Sequence, residues 1–271
     1  MATPEPVQPA PAAGDDDSAA SERTRQVLVA DDGAIRTITL DRPRRRNALD
    51  RSMVDELMSA FESVARDKAI GAVVLSGTAP VFCAGSDVAE LASLPASERA
   101  DNQAFWPALE QTISECRVPV VCAIVGGAWG GGLFLASFAD LRIAAEDARF
   151  AAPEVSLGWL PPGGIEALVD NVGVGVAADI VLTGRTIHGP EALRLGMIDR
   201  LVPPDAVVPT AMSLAGELAA SPPAGISSAR HYFRTRRHLD RSSRDRLALE
   251  RFASDVATDD AERALARFLP G

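Results

Sequence analysis

Residues 119–144 read PVVCAIVGGAWGGGLFLASFADLRIA, and this stretch decides the architecture. Its apolar run at 120–125 has the length and β-branched content of a buried strand. Gly126-Gly127 and Gly130-Gly131-Gly132 then interrupt the pattern and open a helix over 133–138, after which 141–144 reads as another strand. Parallel neighbours need a crossover between them, so strand, glycine loop, helix and strand in succession predict an α/β fold with substantially parallel pairing.

The same rhythm extends outward. Upstream, 72–76 reads as a buried strand, Ala84-Gly85-Ser86 as a loop, and 88–91 and 104–116 as helical segments. Before them, Val54, Leu57, Met58, Phe61 and Val64 recur at helical spacing behind Asp50 or Ser52 as N-cap. Segments 26–30 and 34–40 around Asp31-Asp32-Gly33 read as a hairpin. Downstream, 165–172, 176–182, 190–195 and 207–220 look helical. The predicted organisation is an acidic Pro/Ala-rich disordered tail at 1–23, an α/β core at 24–203 and a helical region at 204–271.

Composition removes several function classes. Of the 271 residues, 47% are hydrophobic and 24% charged, enough for a sizeable core and unlike a collagen or a disordered chain. Lys+Arg number 27 against 37 Asp+Glu, and a net charge of -10 argues against a general binder of nucleic acid or anionic membrane. Cys83, Cys116 and Cys122 lie in apolar stretches without metal-ligand spacing, as expected of a reducing compartment. The tail has no basic start followed by an apolar run, and no apolar stretch reaches 18 residues, so a cytoplasmic location without a membrane span is expected.

Two strand-loop-helix junctions carry the chemistry: Phe82-Cys83-Ala84-Gly85-Ser86-Asp87 and Gly126-Gly127-Ala128-Trp129-Gly130-Gly131-Gly132. First-turn N–H groups have no partner inside their own helix, and glycine lets a ligand come close. Two converging junctions would form an oxyanion hole, whose donors favour an enolate oxygen over a ground-state carbonyl. Tight turns alone would also account for the glycines. Neither loop matches a dinucleotide or nucleoside triphosphate fingerprint.

Taken in order, these residues resemble the crotonase family, the enoyl-CoA hydratase/isomerase superfamily. The resemblance runs through Asp41-Arg42-Pro43 with Asn47-Ala48-Leu49, the two junctions, Ala139-Asp140-Leu141, Phe150 to Glu154, Leu182-Thr183-Gly184 and Gly196-Met197-Ile198. It implies a spiral of ββα turns with a C-terminal helical trimerisation region, assembled as a homotrimer or homohexamer. It also implies a thioester of coenzyme A, or of an acyl-carrier protein, as substrate, with no separate cofactor and no metal. Carried over by motif, the oxyanion donors are the N–H groups of Ser86 and Gly131. Ala84, Asp87 and Val88 lie beside the adenine end of coenzyme A. Arg44, from the group Arg42, Arg44, Arg45 and Arg46, suits its phosphates.

Family hydratases use two carboxylates. Here the first position is Phe134 and the second is Glu154. A lone carboxylate that takes a proton from one carbon and returns it to another suits a double-bond isomerase, and burial would raise its pKa toward neutrality. Trp129, Phe134 and Trp159 are expected to wall the acyl pocket. Asp140 reads as structural, and His188, His231 and His238 form no triad. Hydration, decarboxylation and retro-aldol cleavage on the same hole remain open. So do an RNA-binding role for the arginines between Arg230 and Arg246, and a silent scaffold. A C-terminal adenine contact near Phe268 is doubtful.

Overall fold

A computed structural model describes residues 25–236 and 239–265 of the chain. The predicted tail, Arg237, His238 and Phe268 lie outside them. Strands β1 (Val27–Asp32) and β2 (Ile35–Leu40) pair antiparallel. The turn is Gly33-Ala34, with Gly33 at φ +57°, so Asp31 and Asp32 belong to the ladder and not to the turn as the sequence suggested. The reason is Arg36, buried in β2, which holds the Asp31 carboxylate through Nε at 2.7 Å and Nη2 at 2.8 Å.

Helix α1 (Arg51–Arg66) starts where Asp50 accepts from the Met53 N–H at 2.8 Å, one of the two caps anticipated. Such a cap contributes about 1 kcal/mol. Its buried face, Met53, Val54, Leu57, Ala60, Phe61 and Val64, repeats at helical spacing and packs on β1 and β2. Next come β3 (Ala72–Gly77), α2 (Val88–Ser93), α3 (Arg99–Asn102), α4 (Trp106–Ser114) and β4 (Val120–Ile124). After these follow β5 (Gly127–Trp129), α5 (Gly131–Ser137), β6 (Leu141–Ala145) and β7 (Arg149–Ala151). The chain continues through α6 (Ile165–Val172), α7 (Val174–Thr183), β8 (Ile187–His188), α8 (Gly189–Leu195) and β9 (Arg200–Val202).

Among the described residues the main sheet runs β1-β2-β3-β4-β6-β9, parallel except for the first pair, and β5-β7-β8 form a second, small sheet. Parallel β5 and β7 thus lie beside the main sheet and carry the glycine loop and the Pro-Glu segment out of their C-terminal ends together. Sequence periodicity passed over β5, β7, β8 and β9. Runs of two or three residues carry no alternation to read.

Helix α9 (Val207–Ala219) lies across β3, β4 and β6 and buries Val207, Ala211, Leu214 and Ala215. Beyond it, α10 (Pro223–Thr235), α11 (Arg241–Val256) and α12 (Asp259–Leu265) leave the sheet. Asp140 anchors α10: it accepts from the Val120 N–H at 2.8 Å, from Arg230 Nε at 2.8 Å and from Arg234 Nη2 at 2.8 Å. That is the structural role expected of it. No described helix is long and apolar enough to cross a membrane.

Candidate active site

The first loop is built by Asn47. This residue is fully buried with φ +55°, a left-handed conformation that asparagine tolerates better than most residues. Its Nδ2 donates to the carbonyls of Thr78 and Val81, both at 2.8 Å, while Oδ1 accepts from the Arg42 N–H at 2.9 Å. Leu49 then lies against Ser86 as a parallel bridge: Leu49 N–H donates to Gly85 O at 2.8 Å and Asp87 N–H to Leu49 O at 2.9 Å. In an extended strand successive N–H groups point to opposite sides, so the Ser86 N–H points away from Leu49.

On that other side stands the second loop. A Cβ built on Gly85, whose φ is +99°, would lie 2.7 Å from Trp129 O and 3.1 Å from the Gly131 nitrogen. A Cβ on Gly131 would lie 3.2 Å from the Ser86 nitrogen. The two loops are in van der Waals contact, and only glycine allows it. Gly131 begins α5 and so has no intrahelical acceptor. Neither the Ser86 nor the Gly131 N–H has a hydrogen-bond partner among the described residues.

Both residues line a cavity of about 880 Å³. Glu154 enters its wall from the 3-10 turn Glu154–Leu157 that follows β7. Its side chain lies against Gly130: a Cβ there would be 2.5 Å from Oε1. Glu154 is 8% exposed and its Oε2 has no hydrogen-bond partner among the described residues. Burial penalises the charged form and pushes the carboxyl up to about 7, only slightly opposed by a hydrogen bond from its own backbone N–H. Among the described residues lining the cavity, Glu154 is the one carboxylate and Arg99 the one cation. Phe134 forms part of the wall, fixed by Gly164, where a Cβ would lie 2.4 Å from the Phe134 Cβ.

A profile of the enoyl-CoA hydratase/isomerase family matches residues 31–270. The chain belongs to the enoyl-CoA hydratase/isomerase family. Among proteins similar to it, the probable enoyl-CoA hydratase echA8 of Mycobacterium tuberculosis is 36% identical over 248 residues, covering 90% of this chain and 94% of that one. The 2,3-dehydroadipyl-CoA hydratase of Escherichia coli is 31% identical over 90% of this chain and 95% of its own. A solved enoyl-CoA hydratase from Bacillus anthracis superposes with a TM-score of 0.86 at 26% identity, covering 90% and 95% of the two chains. The α/β spiral of the crotonase superfamily is thereby the fold of this chain, with its helical C-terminal region.

Of the positions that the family pattern singles out, Ser86, Gly131, Glu154, Phe134, Trp159, Ala84 and Val88 line one cavity. Arg44, Asp87 and Trp129 do not. The Asp87 carboxylate is occupied within the protein: it caps α2 by accepting from the Ala89 and Glu90 N–H groups and pairs with Arg42 Nη1 at 3.2 Å. Arg42, which also pairs with Asp50 at 3.0 Å, ties the first loop to two helix starts, whereas Arg44 is exposed on a 3-10 turn. Trp129 is half-buried in β5 and sits outside the cavity wall.

Sequence reading missed Gln103 and Trp106. Both line the cavity and are joined by a hydrogen bond, Trp106 Nε1 to Gln103 Oε1 at 3.2 Å. Their spacing of three residues, one turn, was the available signal.

Proposed function

We propose that this enzyme moves a proton within an acyl thioester, most concretely shifting a carbon-carbon double bond through an enolate. The N–H groups of Ser86 and Gly131 would receive the thioester oxygen as negative charge develops on it. Glu154 as carboxylate would take a proton from one carbon, the electrons passing through the conjugated system to that oxygen, and the resulting acid would return the proton at another carbon. The observation that carries this reading is the solitary buried carboxyl of Glu154, raised to about 7, in a cavity where Phe134 stands at the position of the first acid of family hydratases. A base with a pKa near the working pH both accepts and returns a proton readily.

The substrate we infer is a coenzyme A or acyl-carrier thioester. Phe134, Trp159 and Leu160 would hold its acyl part, and Ala84 and Val88 would touch the carrier arm. Arg44, exposed outside the cavity, would be available to a phosphate of coenzyme A. Hydration is the second reading, favoured by the hydratase names of the similar proteins, with Glu154 alone activating water. The exposed Phe233, Leu249 and Phe252 support coverage of the helical region by further copies in a homotrimer or homohexamer. RNA binding is disfavoured because Arg230 and Arg234 are committed to Asp140.

Incubation with a panel of enoyl-CoA thioesters in deuterated water, followed by mass spectrometry, separates the readings. Deuterium uptake with an unchanged formula supports isomerisation, gain of water establishes hydration, and loss of carbon dioxide establishes decarboxylation. Binding without any change favours a silent scaffold.

A further inference from the structure

The Gln103 amide forms a junction between the two loops. Its Oε1 accepts from Ser86 Oγ at 2.9 Å and from Trp106 Nε1 at 3.2 Å, and its Nε2 donates to Asn102 Oδ1 at 2.7 Å. Trp106 is 1% exposed, and an indole N–H can only donate. Leaving that buried donor unpaired would be costly, so it fixes which way the amide faces. Oxygen must point at Trp106, the same oxygen meets Ser86, and the Ser86 hydroxyl is therefore the donor of that pair. Ser86 is thus held on its backbone side by Leu49 and on its side-chain side by Gln103.

The Trp106 ring reaches the second loop as well. A Cβ on Gly131 would lie 2.6 Å from its Cζ2, and a Cβ on Gly163 2.4 Å from its Cβ, so glycines let the chain close on the tryptophan from two directions. One indole therefore touches Gly131 through its ring and Ser86 through Gln103.

We propose that Gln103 and Trp106 are positioning residues that set the spacing of the Ser86 and Gly131 N–H groups, and with it how strongly the cavity favours an enolate oxygen. The proposal rests on the oxyanion role inferred above for those two groups. Because neither Gln103 nor Trp106 ionises, their effect is on the strength of the hole at every pH. Rigid placement matters because donors stabilise developing charge only when they are already aimed at it.

The test uses acetoacetyl-CoA, a β-keto thioester whose enolate absorbs in the near ultraviolet, bound to the full-length protein and titrated with pH. In the wild type the bound probe ionises at lower pH than the free probe. Ser86→Ala and Gln103→Leu each remove the same hydrogen bond, and each is expected to reduce the bound enolate about tenfold, a conversion of about 1.4 kcal/mol. Gln103→Leu also strips the acceptor from Trp106 Nε1, so its loss is expected to be at least that of Ser86→Ala, and the double variant is expected to match Gln103→Leu to within about twofold because the Ser86 bond is already gone there. Trp106→Phe, which removes both the N–H and the indole carbons Cζ2 and Cη2 that face Gly131, shifts the probe in the same direction. Affinity for coenzyme A itself, which has no thioester carbonyl for the two N–H groups to receive, falls by much less than the enolate fraction in every variant. An unchanged enolate fraction in Ser86→Ala and Gln103→Leu overturns the proposal, as does an equal loss of coenzyme A affinity. A wild type that stabilises no enolate instead overturns the oxyanion reading, and this proposal with it.

Discussion

Replacing Glu154 by Gln tests the buried base through stability as well as turnover. The wild-type carboxyl ionises at about 7 when folded, against an ordinary value of 4.5. The folded state therefore holds its proton more tightly, and stability falls as pH rises through that window, levelling off above about 7. Complete ionisation of a group displaced that far costs the fold about 3 kcal/mol, of which about 2.5 kcal/mol accrues between about pH 5 and about pH 8. Gln cannot ionise, so this part of the pH dependence vanishes in the variant, whatever the fixed cost of its amide. Urea denaturation of both proteins at the two pH values, at one protein concentration, reads the double difference. All other titrating groups cancel. Turnover should be lost in the variant while thioester binding persists, and wild-type kcat/KM should climb through about pH 7 because the carboxylate is the active form. Parallel stability curves for the two proteins would show that Glu154 ionises as an ordinary exposed acid, and the dry-base reasoning would fail.

Gly130→Ala places a methyl 2.5 Å from Glu154 Oε1 at a residue with φ +49°, so the carboxyl must move; kcat is expected to fall about 100-fold, read by steady-state kinetics. Asn47→Ala strips donors from the Thr78, Val81 and Phe82 carbonyls and is expected to destabilise the protein by about 3 kcal/mol in urea unfolding. Cys83, pushed up to about 12 by burial, and Cys116 and Cys122, raised by the same cause, should resist maleimide at about pH 8 in the native protein and all react in denaturant; mass spectrometry counts the labels.

Much of this fold is readable along the chain because its longer elements write their own pattern. Helix α1 shows its buried stripe and cap within 17 residues, and β4 is a plain apolar run. What escapes local reading is set by partners far away in sequence. Asp87 looks like a candidate ligand contact until Arg42, 45 residues earlier, is seen to occupy it. Asn47 binds carbonyls 31 to 35 residues downstream, and no local pattern announces that distance. Gln103, just before the helical segment read at 104–116, carries no sign of a role until the fold brings Ser86 against it, 17 residues away. Glu154 is the intermediate case: its type and place in the Pro-Glu segment are visible, whereas the burial that raises its pKa comes from the cavity as a whole.

On the proton-shift proposal, Phe134 suits this cavity to one carboxyl rather than two. A second carboxylate beside Glu154 would raise the pKa of one member of the pair by like-charge repulsion, and would bring in water to solvate both. Phe134 does neither: 1% exposed and locked against Gly164, it keeps that side of the cavity apolar. Desolvation, the larger of the two influences on Glu154, then lifts its pKa to near neutrality. An acid poised there by dryness gives up and regains a proton at similar cost, which a reversible shift between two carbons needs. Water held and activated by a second acid is what addition across a double bond needs. The same Gly130 that crowds the Glu154 carboxyl leads directly into the Gly131 N–H, so the proposed proton carrier and the proposed oxygen donor meet adjacent residues of one loop. Movement of that loop would therefore disturb both halves of the reaction together, and Gly130→Ala should lower turnover far more than it lowers affinity for the thioester.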